Sequence, residues 1–136
     1  MQRLITLLST CIIALCALTS CNLNKDYHFT YTNEATIQIK DKEDAKAVEE
    51  YLKTNYVNAK DNLTYFGKYD DAIRKYIDHF VEVQATVDED FLRNHFKEDT
   101  DYVTLIGYMN YEDGKSWVGY RTWAKTDPTP EVPTDK

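Results

Sequence analysis

The chain predicts an α+β fold, a small antiparallel sheet with about three helices packed on one face. Three observations carry that expectation. Segments of period two stand at both ends, over residues 27–39 and 102–124. Between them, apolar residues recur at three and four positions, the spacing of amphipathic helices. The second period-two stretch is broken by Asp113-Gly114, a hairpin-turn pair. The order β(β)-α-α-α-β-β suits helices segregated to one side of an antiparallel sheet.

Each element has a local reason. Tyr27-His28-Phe29-Thr30-Tyr31 and Ala35-Thr36-Ile37-Gln38-Ile39 alternate apolar and polar residues. Thr32-Asn33-Glu34 between them reads as a turn or a bulge, so this is one long strand or a hairpin. Asp41 is placed to cap a helix with Glu43 and Asp44 in its first turn, where negative charge meets free backbone N–H groups. Ala45, Val48, Tyr51 and Leu52 form its apolar stripe, ending near Asn55. A polar connection follows over residues 58–62. The clearest helix runs over about residues 68–84, with Tyr69, Ala72, Ile73, Tyr76, Ile77, Phe80 and Val83 on one face. Asp70–Arg74 and Asp71–Lys75 pair at i,i+4 outside. Asp88 caps a short third helix carrying Phe91, Leu92 and Phe96.

In the C-terminal hairpin, a loop of Asp113 and Gly114 sets Gly107 opposite Tyr120 and Gly119 opposite Tyr108, each ring lying over a bare backbone. That register puts Trp117, Trp123, Arg121, Tyr108 and Ile106 on one face. The other face, with Val103, Leu105, Met109 and Val118, is apolar enough to receive the helices. An open face of Trp, Tyr and Arg is what protein-binding hot spots use, and aromatic platforms also stack sugars. Three other arrangements compete: helices on both faces, a homodimer through this face, or helices on the Trp side.

Residues 1–21 carry a separate signal. Met1-Gln2-Arg3 is followed by an almost wholly apolar run, residues 4–17, interrupted by Thr6, Ser9 and Thr10. A bilayer core of about 30 Å needs roughly 20 helical residues, so the run is too short to span it. It suits the apolar region of a cleaved secretory signal. Leu18-Thr19-Ser20-Cys21 resembles the lipobox of bacterial lipoproteins. The resemblance covers residues 1–21. It implies cleavage before Cys21, a diacylglyceryl thioether on its sulfur, and usually an acyl group on the new amino terminus. Two or three chains hold a protein stably where one does so marginally. The expected localisation is the cell envelope, membrane-anchored by lipid. Asn22, where Asp resembles an inner-membrane retention signal in lipoproteins of Gram-negative type, favours the outer membrane.

The cysteines agree. All three, Cys11, Cys16 and Cys21, lie within residues 1–21, so the mature part would keep Cys21 alone and form no internal disulfide. The expected organisation is a signal peptide (1–20), a lipidated tether (21–26), one α+β domain (27–125) and an extended, disordered tail (126–136) holding all three prolines. At roughly 3.5 Å per residue, the tether keeps the domain near the membrane.

Composition excludes several functions. The chain has a formal net charge of −7. Losing residues 1–20, whose one charge is Arg3, leaves 116 residues at −8. Phosphate backbones and anionic headgroups repel such a domain, which argues against nucleic acid as a partner. All 18 aromatics fall in the mature part, enough to build a core without disulfides. Its one serine, Ser116, lacks a nucleophile-elbow context. The four glycines form no phosphate loop or dinucleotide fingerprint. His28, His79 and His95 show no metal-ligand spacing. Asp88-Glu89-Asp90 and the acids at 98, 99 and 101 lack calcium-loop spacing and read as capping and solvated groups. No cofactor or metal is expected.

The leading expectation is a non-catalytic, lipid-anchored envelope protein that binds a protein or glycan partner through its aromatic sheet face. An inhibitor or immunity protein facing a cationic envelope-active enzyme is the alternative. A small acid-using hydrolase is a third.

Overall fold

The computed structural model describes residues 24–59, 63–112 and 114–125. The apolar leader, Cys21, Asp113 and the tail from Thr126 lie outside the described residues. The elements are β1 (Asp26–Gln38), α1 (Lys42–Leu52) running on into a π turn (Lys53–Val57), β2 (Tyr65–Lys68), α2 (Tyr69–Ala85), α3 (Glu89–Asn94), β3 (Tyr102–Tyr111) and β4 (Gly114–Ala124). The strands form an antiparallel sheet of order β2-β1-β3-β4. The fold is α+β.

This segment forms one strand, Asp26–Gln38, not a hairpin. Thr32-Asn33-Glu34 runs straight through, opposite Tyr108, Gly107 and Ile106. Burial alternates along β1. Tyr27, Phe29, Tyr31 and Asn33 are buried on the inner face, while His28, Thr30, Thr32 and Glu34 are exposed on the outer. Asn33 is the polar exception inside. Its carbonyl oxygen accepts from the Tyr31 hydroxyl at 2.8 Å, and its amide donates to the Tyr56 carbonyl at 3.2 Å. That second bond ties the π turn to the sheet and satisfies a group that would be costly to bury alone.

The helix starts follow the expected chemistry. The Asp41 carboxylate accepts from the Asp44 N–H at 3.0 Å, and the Asp88 carboxylate from the Phe91 N–H at 3.1 Å. α2 lays Tyr69, Ala72, Tyr76 and Phe80 onto the sheet. With Tyr27, Phe29, Leu52, Leu92, Leu105 and Trp123 they make one apolar core. The loop into β3 is organised by Asp101, which is buried. Its carboxylate accepts from the backbone N–H groups of Lys40, Lys97 and Glu98 at 2.9–3.1 Å. β2 adds a strand absent from the sequence expectation, pairing Tyr65–Lys68 with Asp26–Phe29.

The hairpin departs from its expected register. Tyr111 opposes Gly114, which places the pairing two residues out of the expected register at the turn. Next to the turn Tyr108 opposes Trp117, but beyond it Gly107 opposes Gly119. Val118 is the extra residue of a β-bulge, which offsets the pairing by one. The two glycines therefore face each other, not Tyr120 and Tyr108. The ring they accommodate is Phe80 of α2. A Cβ on Gly107 would stand 2.7 Å from it, and one on Gly119 2.6 Å. Both glycines let α2 approach the sheet.

Candidate functional site: the outer sheet face

The bulge divides the expected site. Trp117, Tyr108 and Ile106 lie on the outer face, with Tyr120 beside them. Trp123 and Arg121 lie on the inner face beneath the helices. Pairing shows this directly: Trp123 opposes Val103 and Arg121 opposes Leu105, both inner residues, whereas Tyr120 opposes Ile106. The expectation that all five share one face is thus corrected. Because side chains alternate with period two, one inserted residue moves everything beyond it to the other side.

On the inner face, Trp123 is fully buried. The Arg121 guanidinium lies 4.9 Å from the centroid of its ring. It donates to Gln84 Oε1 of α2 at 2.6 Å and to Glu89 Oε2 of α3 at 2.9 Å. Arg93 reaches Glu89 as well, at 3.3 Å. Burial raises the Glu89 pKa, but the Arg121 charge, the nearby Trp123 indole and Arg93 outweigh it and hold the carboxyl below its ordinary value. Arg121 is a clamp between β4 and two helices. Among the described residues, its Nε stays buried without a hydrogen-bond partner.

On the outer face, three strands contribute rows: Thr32, Tyr108 and Trp117, then Glu34, Ile106 and Tyr120, then Thr36, Thr104 and Thr122. Tyr108, Ile106, Trp117 and Tyr120 are half-buried. Trp117 and Tyr120 meet at 5.3 Å between centroids. The Lys115 ammonium sits 4.2 Å from the Tyr108 ring centroid and donates to Glu34 at 2.9 Å. That hydrogen bond holds the lysine pKa above its ordinary value. The Thr104 and Thr122 hydroxyls bond to each other at 2.8 Å. At the β2 end, His28 contacts Phe66, 4.6 Å between centroids, and Phe66 is 57% exposed. The face is an amphipathic platform with an aromatic centre, paired hydroxyls on one side and the ion pairs Lys115–Glu34 and Lys68–Asp26. Phe66 and Tyr120 were not singled out from sequence; β2 was not expected, and the register set Tyr120 inside.

No catalytic constellation is assembled among the described residues. The Ser116 hydroxyl is buried between those of Tyr69 and Tyr111, at 3.0 and 3.1 Å. The histidines are engaged separately: His28 with Phe66, His79 against the Tyr31 ring, and His95 through Nδ1 with the Phe91 carbonyl. Among the described residues, no three His, Cys, Asp or Glu side chains converge as metal ligands. A cleft of mixed character, about 400 Å³, lies between the π turn and α2, with Tyr56, Ala59 and Val83 beside Asn33, His79 and Glu82 in its lining. Among the described residues, no helix is long and apolar enough to cross a membrane. No family model, curated protein or solved structure matches the chain.

Proposed function

We propose that this protein is a non-catalytic binding module of the bacterial cell envelope, held to the membrane by lipid on Cys21 and working through the outer sheet face. One observation carries the binding part. A face bearing Trp117, Tyr108, Tyr120 and Ile106 is covered by no described element, while every described helix packs on the opposite side. Aromatic side chains of this kind supply most of the energy at protein interfaces, and Trp and Tyr are enriched among hot spots. The partner is a protein or a glycan. The lipobox supports the anchoring part.

The test uses the position of the two tryptophans. Trp117 is half-buried on the open face and Trp123 is fully buried. In the full chain carrying Trp123→Phe, acrylamide should quench the remaining emission, and envelope extract containing the partner should protect it. Trp117→Ala should abolish retention of that partner. Protection from acrylamide before any partner is added, or unchanged retention by Trp117→Ala, would remove the reading. Radiolabelled glycerol or palmitate should enter the chain and be lost in Cys21→Ser.

The net charge of −7 supports the alternative partner, a cationic envelope-active enzyme. Binding that weakens steeply with salt selects it, since long-range attraction is screened over about 8 Å at physiological ionic strength.

A further inference from the structure

β1 has two edges. β3 pairs with one of them over Thr30–Gln38. β2 covers the other only over Asp26–Phe29. Beyond Phe29, no backbone–backbone hydrogen bond among the described residues reaches that second edge. The Asn33 side chain meets the π turn there, through the Tyr56 carbonyl. Among the described residues, Glu34–Gln38 thus presents a strand edge whose alternate N–H and C=O groups meet no backbone partner.

A groove runs along this edge. Its floor is Ala35, Ile37, Leu52 and Val57, and Glu34, Glu49 and Lys53 stand at its rim. Both an outer-face residue, Glu34, and inner-face residues, Ala35 and Ile37, line it, so it opens beside the strand and not above or below it. Its volume of about 250 Å³ is below the ~300–1,000 Å³ of sites that enclose a whole small molecule. It suits side chains delivered one at a time from a strand.

We infer that Glu34–Gln38 is a strand-addition site, which takes an extended, basic-flanked peptide of a partner protein as a further strand against β1. Backbone hydrogen bonds along the edge give such binding its affinity, and alternate side chains reaching a groove give it selectivity. The occupant must be polypeptide, because only a backbone matches a row of N–H and C=O groups at strand spacing. It carries apolar residues at every second position, set by the floor. The chain's net −7 draws basic flanks from a distance, while at the rim Glu34 pairs with Lys115 and Glu49 with Lys53. The groove shares Glu34 with the aromatic platform and no other residue, so Val57→Asp at the edge and Trp117→Ala on the platform separate the two.

The experiment is a titration of the isotopically labelled full chain, followed by amide NMR, with the synthetic peptide Lys-Thr-Val-Thr-Val-Thr-Val-Lys. Saturable shifts are expected over residues 34–38 and at Leu52, Lys53 and Val57, with new hydrogen-exchange protection at alternate amides of the strand. A control peptide with proline in place of each threonine cannot donate those hydrogen bonds and should bind about tenfold more weakly or less. Val57→Asp in the groove should weaken the first peptide by a similar factor. Glu49→Lys, on the exposed side of α1, removes the ion pair with Lys53 and should weaken it about threefold by placing two cations at the rim. The inference is overturned by shifts confined to Tyr108 and Trp117, by equal binding of the proline control, or by no saturable shift. It is also overturned if the same amides become protected with rising protein concentration and no peptide, which would make the occupant a second copy of this chain.

Discussion

The two faces of the sheet are built from similar residues and meet different fates. Each holds a tryptophan from β4, tyrosines and a long cation. Inside, Trp123 is fully buried and Arg121 is locked to Gln84 and Glu89. Outside, Trp117 leans on Tyr120, and Lys115 lies over Tyr108. Residue type does not separate core from surface here. The helices do, and which residues they cover is decided by the parity of a strand position.

Substitutions can test how far that contrast reaches. The largest effect is expected from truncating the two tryptophans. Trp123→Ala should cost about 3–5 kcal/mol in urea unfolding, and Trp117→Ala about 1 kcal/mol or less. Equal losses would mean that something covers the outer face too. Next comes the close approach of α2. Gly119→Val places a Cβ where Phe80 stands 2.6 Å away. A lowered melting temperature, corresponding to about 1–3 kcal/mol, should follow.

A third test uses acid. The Glu89 carboxyl is held below its ordinary value in the folded chain, against about 4.3 when unfolded. Its contribution is therefore complete above the unfolded value and is lost as pH falls through the folded one. Stability measured from neutral to acid pH should fall less steeply in Glu89→Gln than in the parent. The smallest effect is on the outer face. Lys115→Ala removes an exposed ion pair with Glu34 and should change stability by about 0.5 kcal/mol or less.

Much of the fold is legible in local sequence. The stripe from Tyr69 to Val83 marks α2, and Asp41 and Asp88 sit at helix starts because their side chains cap the backbone at short range. The hairpin is legible as an element, since its alternation and turn residues are local. Its register is not. The bulge at Val118 accompanies the meeting of Gly107 and Gly119 beneath Phe80, a residue far away along the chain. β2 is hidden for a related reason: Tyr65–Lys68 is too short to show a period, and it becomes a strand by pairing with β1. The candidate site inherited this error in half. Trp117, Tyr108 and Ile106 lie before the bulge or on the partner strand and share the outer face. Trp123 and Arg121 lie beyond it and are carried inside.

Trp117 and Trp123 are six positions apart, an even spacing that would ordinarily set them on the same side of a strand. Val118 acts as a phase marker between them. Its presence is what allows a single strand to anchor the core with one indole and display another. A change of one residue in this segment reverses the face of everything beyond it. Losing one residue between the tryptophans would trade an anchor for a display surface while leaving the composition nearly untouched. Variation in this stretch is therefore constrained by count before it is constrained by chemistry.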